Sequence, residues 1–192
     1  MAWAGKITEK VNAISEVPVT LWTTAFSPQL GTLSWTSVVE DLSQLTNLDA
    51  KLMADSGYLS LIEEGARYTS DAGLDDGLVQ LIHADPDTGI GEYVSVVQAT
   101  IAPGSYVRGI EVGVEIAQRA KAITGRATSF GASQTGVYGE VGWFVLYDSV
   151  EQVQAAGEAL NSNIEFAQFL DEQASKTYLA GASTQTIFQK VA

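Results

Sequence analysis

The apolar positions of the chain switch between two periods. Residues 92–101, EYVSVVQATI, alternate and are rich in β-branched side chains, which predicts a strand. Pro103 and Gly104 interrupt it. Over 106–124 the apolar positions Val107, Ile110, Val114, Ala117 and Ala120 recur at helical spacing, and Gly125 suits the C-terminal cap. Alternation returns at about 126–134 and 139–147, two strands joined by a turn around Gly136. Ser149 followed three residues later by Gln152 is a capping-box pattern. The helix it opens carries Val150, Val153, Leu160, Ile164, Phe166, Ala167 and Leu170, with a break expected at 161–163, where Asn, Ser and Asn are weak helix formers. A last strand covers 183–192. The order is β-α-β-β-α-β, the split βαβ unit.

The first half predicts the same order with one piece absent. A helix falls at about 4–15, strands at about 18–26 and 31–39, and a long helix at about 41–68 with Leu42, Leu45, Leu48, Leu52, Leu59 and Ile62 on its apolar side. DAGLDDG, 71–77, reads as a loop and GLVQLIHA, 77–84, as the closing strand. DPDTGIG, 85–91, has turn chemistry and marks a boundary. The expected units are therefore 1–88 and 89–192. No opening strand precedes the first helix. That predicts unpaired strand edges or a reshuffled sheet, with the place filled by residues upstream or by another strand, for instance from a second subunit.

The halves also align on each other at an offset of 108 residues, without a gap from Gly31 to Thr69. Gly31 falls on Gly139, Trp35 on Trp143, Gln44 on Gln152, Leu52 on Leu160, Tyr58 on Phe166 and Glu64 on Glu172. Extended backwards, the same offset sets Trp22 on Phe130. Identities are few, but the apolar positions coincide through an alternating segment and then a helical one, which is the signature of an internal repeat.

Two such units in tandem, each with an acid ending a strand before a long helix, resemble the dimeric α/β-barrel superfamily. LMADSGYLSLIEEGARY, 52–68, is similar to the second helix of its antibiotic-biosynthesis-monooxygenase-like and NIPSNAP-like members, and ALNSNIEFAQFLDEQASKTY, 159–178, is its counterpart. The resemblance implies an α+β fold of two ferredoxin-like units forming a pseudo-dimeric barrel. It also implies a small-molecule site. Members of the superfamily include cofactor-independent oxygenases, haem-binding enzymes and isomerases, so fold-level likeness alone selects no reaction.

Composition narrows the partners. Of 192 residues 46% are hydrophobic, enough for a real core. The formal net charge is −13, which speaks against nucleic acid and against an anionic membrane surface, since both need clustered cations. There are no cysteines, which excludes disulfides and thiolate chemistry. No apolar run reaches the ~20 residues of a membrane span, and the N-terminus lacks a secretory signal pattern, so a cytoplasmic location is expected.

Candidate chemistry is sparse. His83 is the only histidine, which excludes multi-histidine metal sites. On the closing strand of the first unit it could serve as a general base or as a haem ligand, or simply be hydrogen-bonded or solvated. Trp22, Trp35, Phe130, Trp143 and Tyr147 lie on the strands. Facing a barrel interior they would form a flat pocket for a planar ligand; facing the helices they would be core. Strand hydroxyls such as Thr20, Thr24, Ser34, Thr36, Thr128 and Ser129 would suit a mildly polar aromatic, and also suit strands on propensity alone. Asp85, Asp87 and Glu92 do not fit a calcium loop, nor do Asp71, Asp75 and Asp76, so no metal site is expected. GVYGEVG, 136–142, joins two strands and opens no helix, so it reads as a hairpin, not a phosphate loop. Arg108 and Arg126 read as surface residues. No motif fixes a cofactor. Two readings follow: a barrel binding a small planar ligand, with monooxygenase-like or isomerase-like activity, or a non-enzymatic homo-oligomeric assembly. A homo-oligomer is expected in either case.

Overall fold

The computed structural model describes residues 1–27, 30–69, 73–86 and 91–191. Asp71 and Asp87 lie outside them. The chain divides into two compact α+β units, one of Met1–Thr24, Gln29–Asp75 and Lys190–Ala192, the other of Ala25–Pro28 and Asp76–Gln189.

The first unit has helix α1 (Ala2–Ile14), the antiparallel strands β1 (Thr20–Phe26) and β2 (Leu33–Thr36), and helices α2 (Leu42–Met53) and α3 (Ser56–Gly65). The single helix expected over 41–68 is two. Asp55 caps α3 by accepting from the Tyr58 backbone N–H, and its carboxylate also takes the Lys10 ammonium at 2.8 Å. An Asp that satisfies an orphan N–H at a helix start competes with its own place inside a longer helix. α1 lies against α3: the Trp3 indole N–H donates to Leu61 O at 2.7 Å, and its ring fills the space over Gly65, where a Cβ would sit 2.2 Å from Trp3 Cζ2.

The second unit has β3 (Val79–His83), β4 (Tyr93–Thr100), α4 (Tyr106–Thr124), β5 (Thr128–Ser133), β6 (Glu140–Tyr147), α5 (Val150–Ser162), α6 (Ile164–Gln173) and β7 (Thr184–Lys190). Its strands run antiparallel in the order β7-β4-β6-β5-β3. The first four follow the split βαβ order expected of residues 92–190, with the opening strand β4 in the middle. β3 was expected to close a sheet of the first half. It instead pairs with β5, with a bulge between Leu81 and His83.

The core of the second unit lies between its sheet and α4, α5 and α6. It gathers Ala99, Ile101, Val112, Ala117, Phe130, Val141, Trp143, Phe166, Phe169 and Tyr178. The buried face of α4 is not the expected one throughout: Val107 is 74% exposed, while Gly109 and Gly113 are buried. The two glycines, one turn apart, let the helix backbone approach the strands. A Cβ at Gly113 would lie 2.2 Å from Phe130 Cζ, and one at Gly109 2.7 Å from Ile101 Cδ1. The helix break expected at 161–163 falls at Asn163, which ends α5 and caps α6 by accepting from Phe166 N. Gly136 and Gly139 take φ of 83° and 82° in the β5–β6 hairpin, a region open to glycine.

Candidate functional site

Cross-strand register decides which candidates face the helices, because residues directly opposite each other share a sheet face. Trp143 stands opposite Phe130 and Val97, and its indole N–H donates to the Gly113 carbonyl of α4 at 2.8 Å. Its ring lies 5.2 Å from Phe130 and, edge-on, 5.6 Å from Tyr178. Phe130 is fully buried. Alternation puts Tyr147 on the same helix-facing side, also buried. Burial pushes the Tyr147 phenol above its ordinary range, only partly offset by Arg126. Trp35 behaves alike in the first unit: its indole N–H donates to Thr8 Oγ1 of α1 at 2.8 Å, and its ring meets Trp3 edge-on at 6.1 Å. These four aromatics pack between sheet and helix.

Trp22 does not. Trp35 pairs with Leu21, so Trp22, opposite Ser34, lies on the other face. Its indole N–H donates to Thr36 Oγ1 at 2.8 Å, and the residue is 7% exposed. Thr20, Thr24, Ser34 and Thr36 share this face by alternation, so it carries one indole and several hydroxyls, with Trp22 and Thr24 buried. Structurally, Leu21 and not Trp22 is the counterpart of Phe130. The offset of 108 slips by one residue across this strand, and a one-residue slip moves a side chain to the opposite face.

The corresponding face of the second unit carries polar groups that sequence reasoning passed over. At the middle of β4, Gln98 donates from Nε2 to Glu140 Oε1 at 3.0 Å, and its Oε1 accepts from Thr184 Oγ1 at 3.5 Å. Three strands are thus tied by side chains on the side away from the helices. Gln98 stands opposite Gly142, which stands opposite Gly131. The paired glycines leave a bare floor: a Cβ at Gly142 would meet the Phe144 ring at 3.1 Å, and one at Gly131 the Val79 side chain at 2.6 Å. Phe144 and Val79 therefore lean over the floor beside the Gln98 amide, and Phe144 and Val96 are half-buried. Glu140 Oε2 carries no hydrogen bond among the described residues. The arrangement offers a flat apolar ring, an oriented amide and a carboxylate oxygen that can accept a proton. The available signal was a Gln in the otherwise apolar, β-branched run of β4.

His83 lies at the end of β3, half-buried, its backbone opposite Phe130, and its imidazole has no hydrogen-bond partner among the described residues. Asp85 is buried and accepts from Lys121 Nζ at 3.0 Å, a structural ion pair at the foot of α4. Arg108 bonds Glu111 and Gln173, and Arg126 bonds Asp148. A cavity of about 170 Å³ lies on the helix side, between Ile123, Arg126, Gln152 and Ala156. Its Gln152 already accepts from the Asp148 N–H. No group of three or more His, Asp or Glu among the described residues is placed to hold a metal ion. Among the same residues no helix is long and apolar enough to cross a membrane.

An antiparallel sheet of split βαβ order with helices on one side defines the class: the chain has an α+β fold, with the strand order that the dimeric α/β-barrel resemblance implies. Solved structures agree. A "putative monooxygenase" from Fusobacterium nucleatum superposes over all of this chain and 84% of its own, with a TM-score of 0.66 at 10% identity. One so described from Lactobacillus acidophilus matches 98% of this chain and 84% of its own, TM-score 0.60, again at 10% identity. An anthrone oxidase-like protein matches the whole chain and 86% of its own, TM-score 0.63, at 15% identity. At such identities the likeness speaks for the fold. No protein-family model and no curated protein matches the chain.

Proposed function

We propose that the chain binds a planar aromatic molecule bearing a carbonyl or hydroxyl group on the open sheet face of the second unit, and oxidises it with molecular oxygen. The observation that carries this reading is the Thr184–Gln98–Glu140 chain of hydrogen bonds beside the Phe144 ring over a glycine floor. Phe144 stacks on the ligand. Gln98 holds Glu140 through Oε1, which leaves Oε2 to take a proton from an activated carbon or a phenol. The overall change is oxidation of an activated CH₂ to C=O, one oxygen atom entering the product and the other leaving as water. The monooxygenase and anthrone oxidase-like names of proteins with this fold support that choice of chemistry.

Anthrone is the probe, with oxygen uptake and quinone absorbance as readouts. Glu140→Gln keeps the shape and removes the base; kcat is expected to fall by about 10²–10⁴-fold, the usual share of general base catalysis. Phe144→Leu should raise KM with less effect on kcat. His83→Gln separates the two candidate bases. A loss of activity in His83→Gln with Glu140→Gln unaffected would move the chemistry to β3 and sink the assignment of Glu140.

A further inference from the structure

Gly125 caps α4 and Arg126 follows it, which sets the guanidinium where the end of α4 meets the first turns of α5. The cavity of about 170 Å³ at that place is left open by small side chains. Its α5 wall is Ala155, Ala156 and Ala159, and Ile123 faces them from α4. At the offset of 108, Ala156 falls on Leu48 and Ala159 on Lys51, so the first half carries long side chains where the second carries methyl groups. An apolar cavity of about 150 Å³ holds a benzene ring, so one ring or a short branched chain suits this space. The free polar groups around it are mostly donors. Gln152 Oε1 accepts from the Asp148 N–H, while its Nε2 has no partner among the described residues. Thr124 Oγ1 is occupied in both senses, donating to Ala120 O and accepting from Arg126 N. Arg126 gives one N–H, at 3.4 Å, to Asp148, whose side chain is 69% exposed. So long a pair to a solvated acid contributes little, and a better-placed carboxylate can displace it. Tyr147, on the same helix-facing side and 6% exposed, adds another donor: its hydroxyl has no partner among the described residues, and Arg126 is near enough to act on it. Every enclosed side-chain N or O among those residues has a hydrogen bond, so this hydroxyl opens on accessible space.

We propose that the cavity between the end of α4 and the start of α5 binds a small monocarboxylate with a flat or short apolar body, of about the size of benzoate. The carboxylate lies against Arg126, whose planar fork matches its two oxygens, and takes a further bond from Gln152 Nε2. The apolar body rests on Ala155, Ala156 and Ile123. A ligand without acceptors would leave the donors unmet, and a cation would be repelled by Arg126. The site lies on the helix side of the sheet and is independent of the reaction proposed for the opposite face.

Benzoate is the probe, with benzamide as its uncharged isostere, each titrated into the full chain and followed by backbone amide chemical shifts. Benzoate should bind with a Kd of about 1 mM or tighter and move the amides of Ile123, Arg126, Gln152 and Ala156. Benzamide should bind about tenfold more weakly or worse. Arg126→Gln should weaken benzoate by about tenfold or more and leave benzamide unchanged. Ala156→Leu fills the space and should abolish binding of both. Should that variant not fold, Ala155→Leu, at the exposed rim of the cavity, serves the same purpose. Unmoved amides at Ile123 and Gln152 up to about 20 mM benzoate overturn the proposal. So do equal affinities for the two probes, an unchanged affinity in Arg126→Gln, or shifts confined to the face of Gln98 and Phe144.

Discussion

The same substitution, Gly to Ala, should change stability in opposite directions at two helical positions. Gly113 in α4 faces the sheet. An added Cβ would lie 2.2 Å from Phe130 Cζ, 2.4 Å from Cε2 and 2.7 Å from Cε1, where an ordinary contact is 3.4–4 Å. The ring cannot swing aside easily, because Phe130 is fully buried and Trp143 packs on it at 5.2 Å. Nor can the helix lift off without stretching the 2.8 Å bond from Trp143 Nε1 to the Gly113 carbonyl. Either group must move by more than an ångström, so the overpacking cost belongs at the upper end of about 1–3 kcal/mol. Ala recovers up to about 1 kcal/mol of helix propensity over Gly. Gly113→Ala should therefore lose about 2 kcal/mol net, a fall in Tm of about 4–8 °C for a chain of this length. Gly157 in α5 has nothing within 4 Å of its added Cβ, so Gly157→Ala keeps the propensity gain and should raise Tm by about 1–4 °C. Thermal melts by circular dichroism, with urea midpoints beside them, measure both. A Gly113→Ala protein as stable as the parent would refute the close approach of α4 to β5.

Three further outcomes follow from other contacts. Trp143→Phe should cost about 1–3 kcal/mol in urea titrations, because it removes a buried indole N–H bond and leaves a void beside Tyr178. Tyr178 donates to the Gly109 carbonyl at 2.6 Å, and burial raises its pKa far above the ordinary value of 10.0. The contribution linked to its ionisation is thus complete below pH 10 and is lost as the pH rises beyond it, so Tyr178→Phe should flatten the alkaline decline of Tm, with Tyr147 leaving a residual slope. The Lys10 ammonium, then the Tyr58 backbone N–H, hold the Asp55 carboxyl below its ordinary 3.8. Stability from that group is present above 3.8 and is lost as the pH falls through the lower folded value, so Asp55→Asn should make acid unfolding shallower, read as Tm against pH.

Period was legible in the sequence, and with it almost every element. Alternation marked β4, β5 and β6, and helical spacing marked α4 and the α5–α6 pair. The break at Asn163 was expected because three weak helix formers adjoin there. The matching break at Asp55 was missed, although the repeat sets Asp55 on Asn163 and both cap a helix through the backbone N–H three residues on. There the composition of the first half, rich in leucine on both sides of the break, masked a capping residue that the alignment already pointed to. Glycine was the other blind spot. Hydropathy spacing set Val107 on the buried face of α4, but Gly109 and Gly113 occupy the contact, because close backbone approach, not side-chain burial, is what the helix gains there.

The site was harder to read because alternation divides a strand into two faces without saying which one a helix covers. Large aromatics draw attention as a binding surface, yet a Trp with a buried N–H needs an acceptor, and helix backbone and side-chain oxygens supplied one for Trp143 and Trp35. The open face is instead recognised by what a helix-covered face would reject. Gln98 and Glu140 both need hydrogen-bond partners, Gly131 and Gly142 would leave a void beneath a helix, and all four fall on one side of β4, β5 and β6. Residues that make a poor core, concentrated on one face of strands that otherwise make a good one, locate a surface kept for a ligand. The same reasoning separates Trp22 from the other indoles: its N–H is satisfied by a neighbouring strand's threonine, so its ring needs no helix and stays with the hydroxyls of the opposite face.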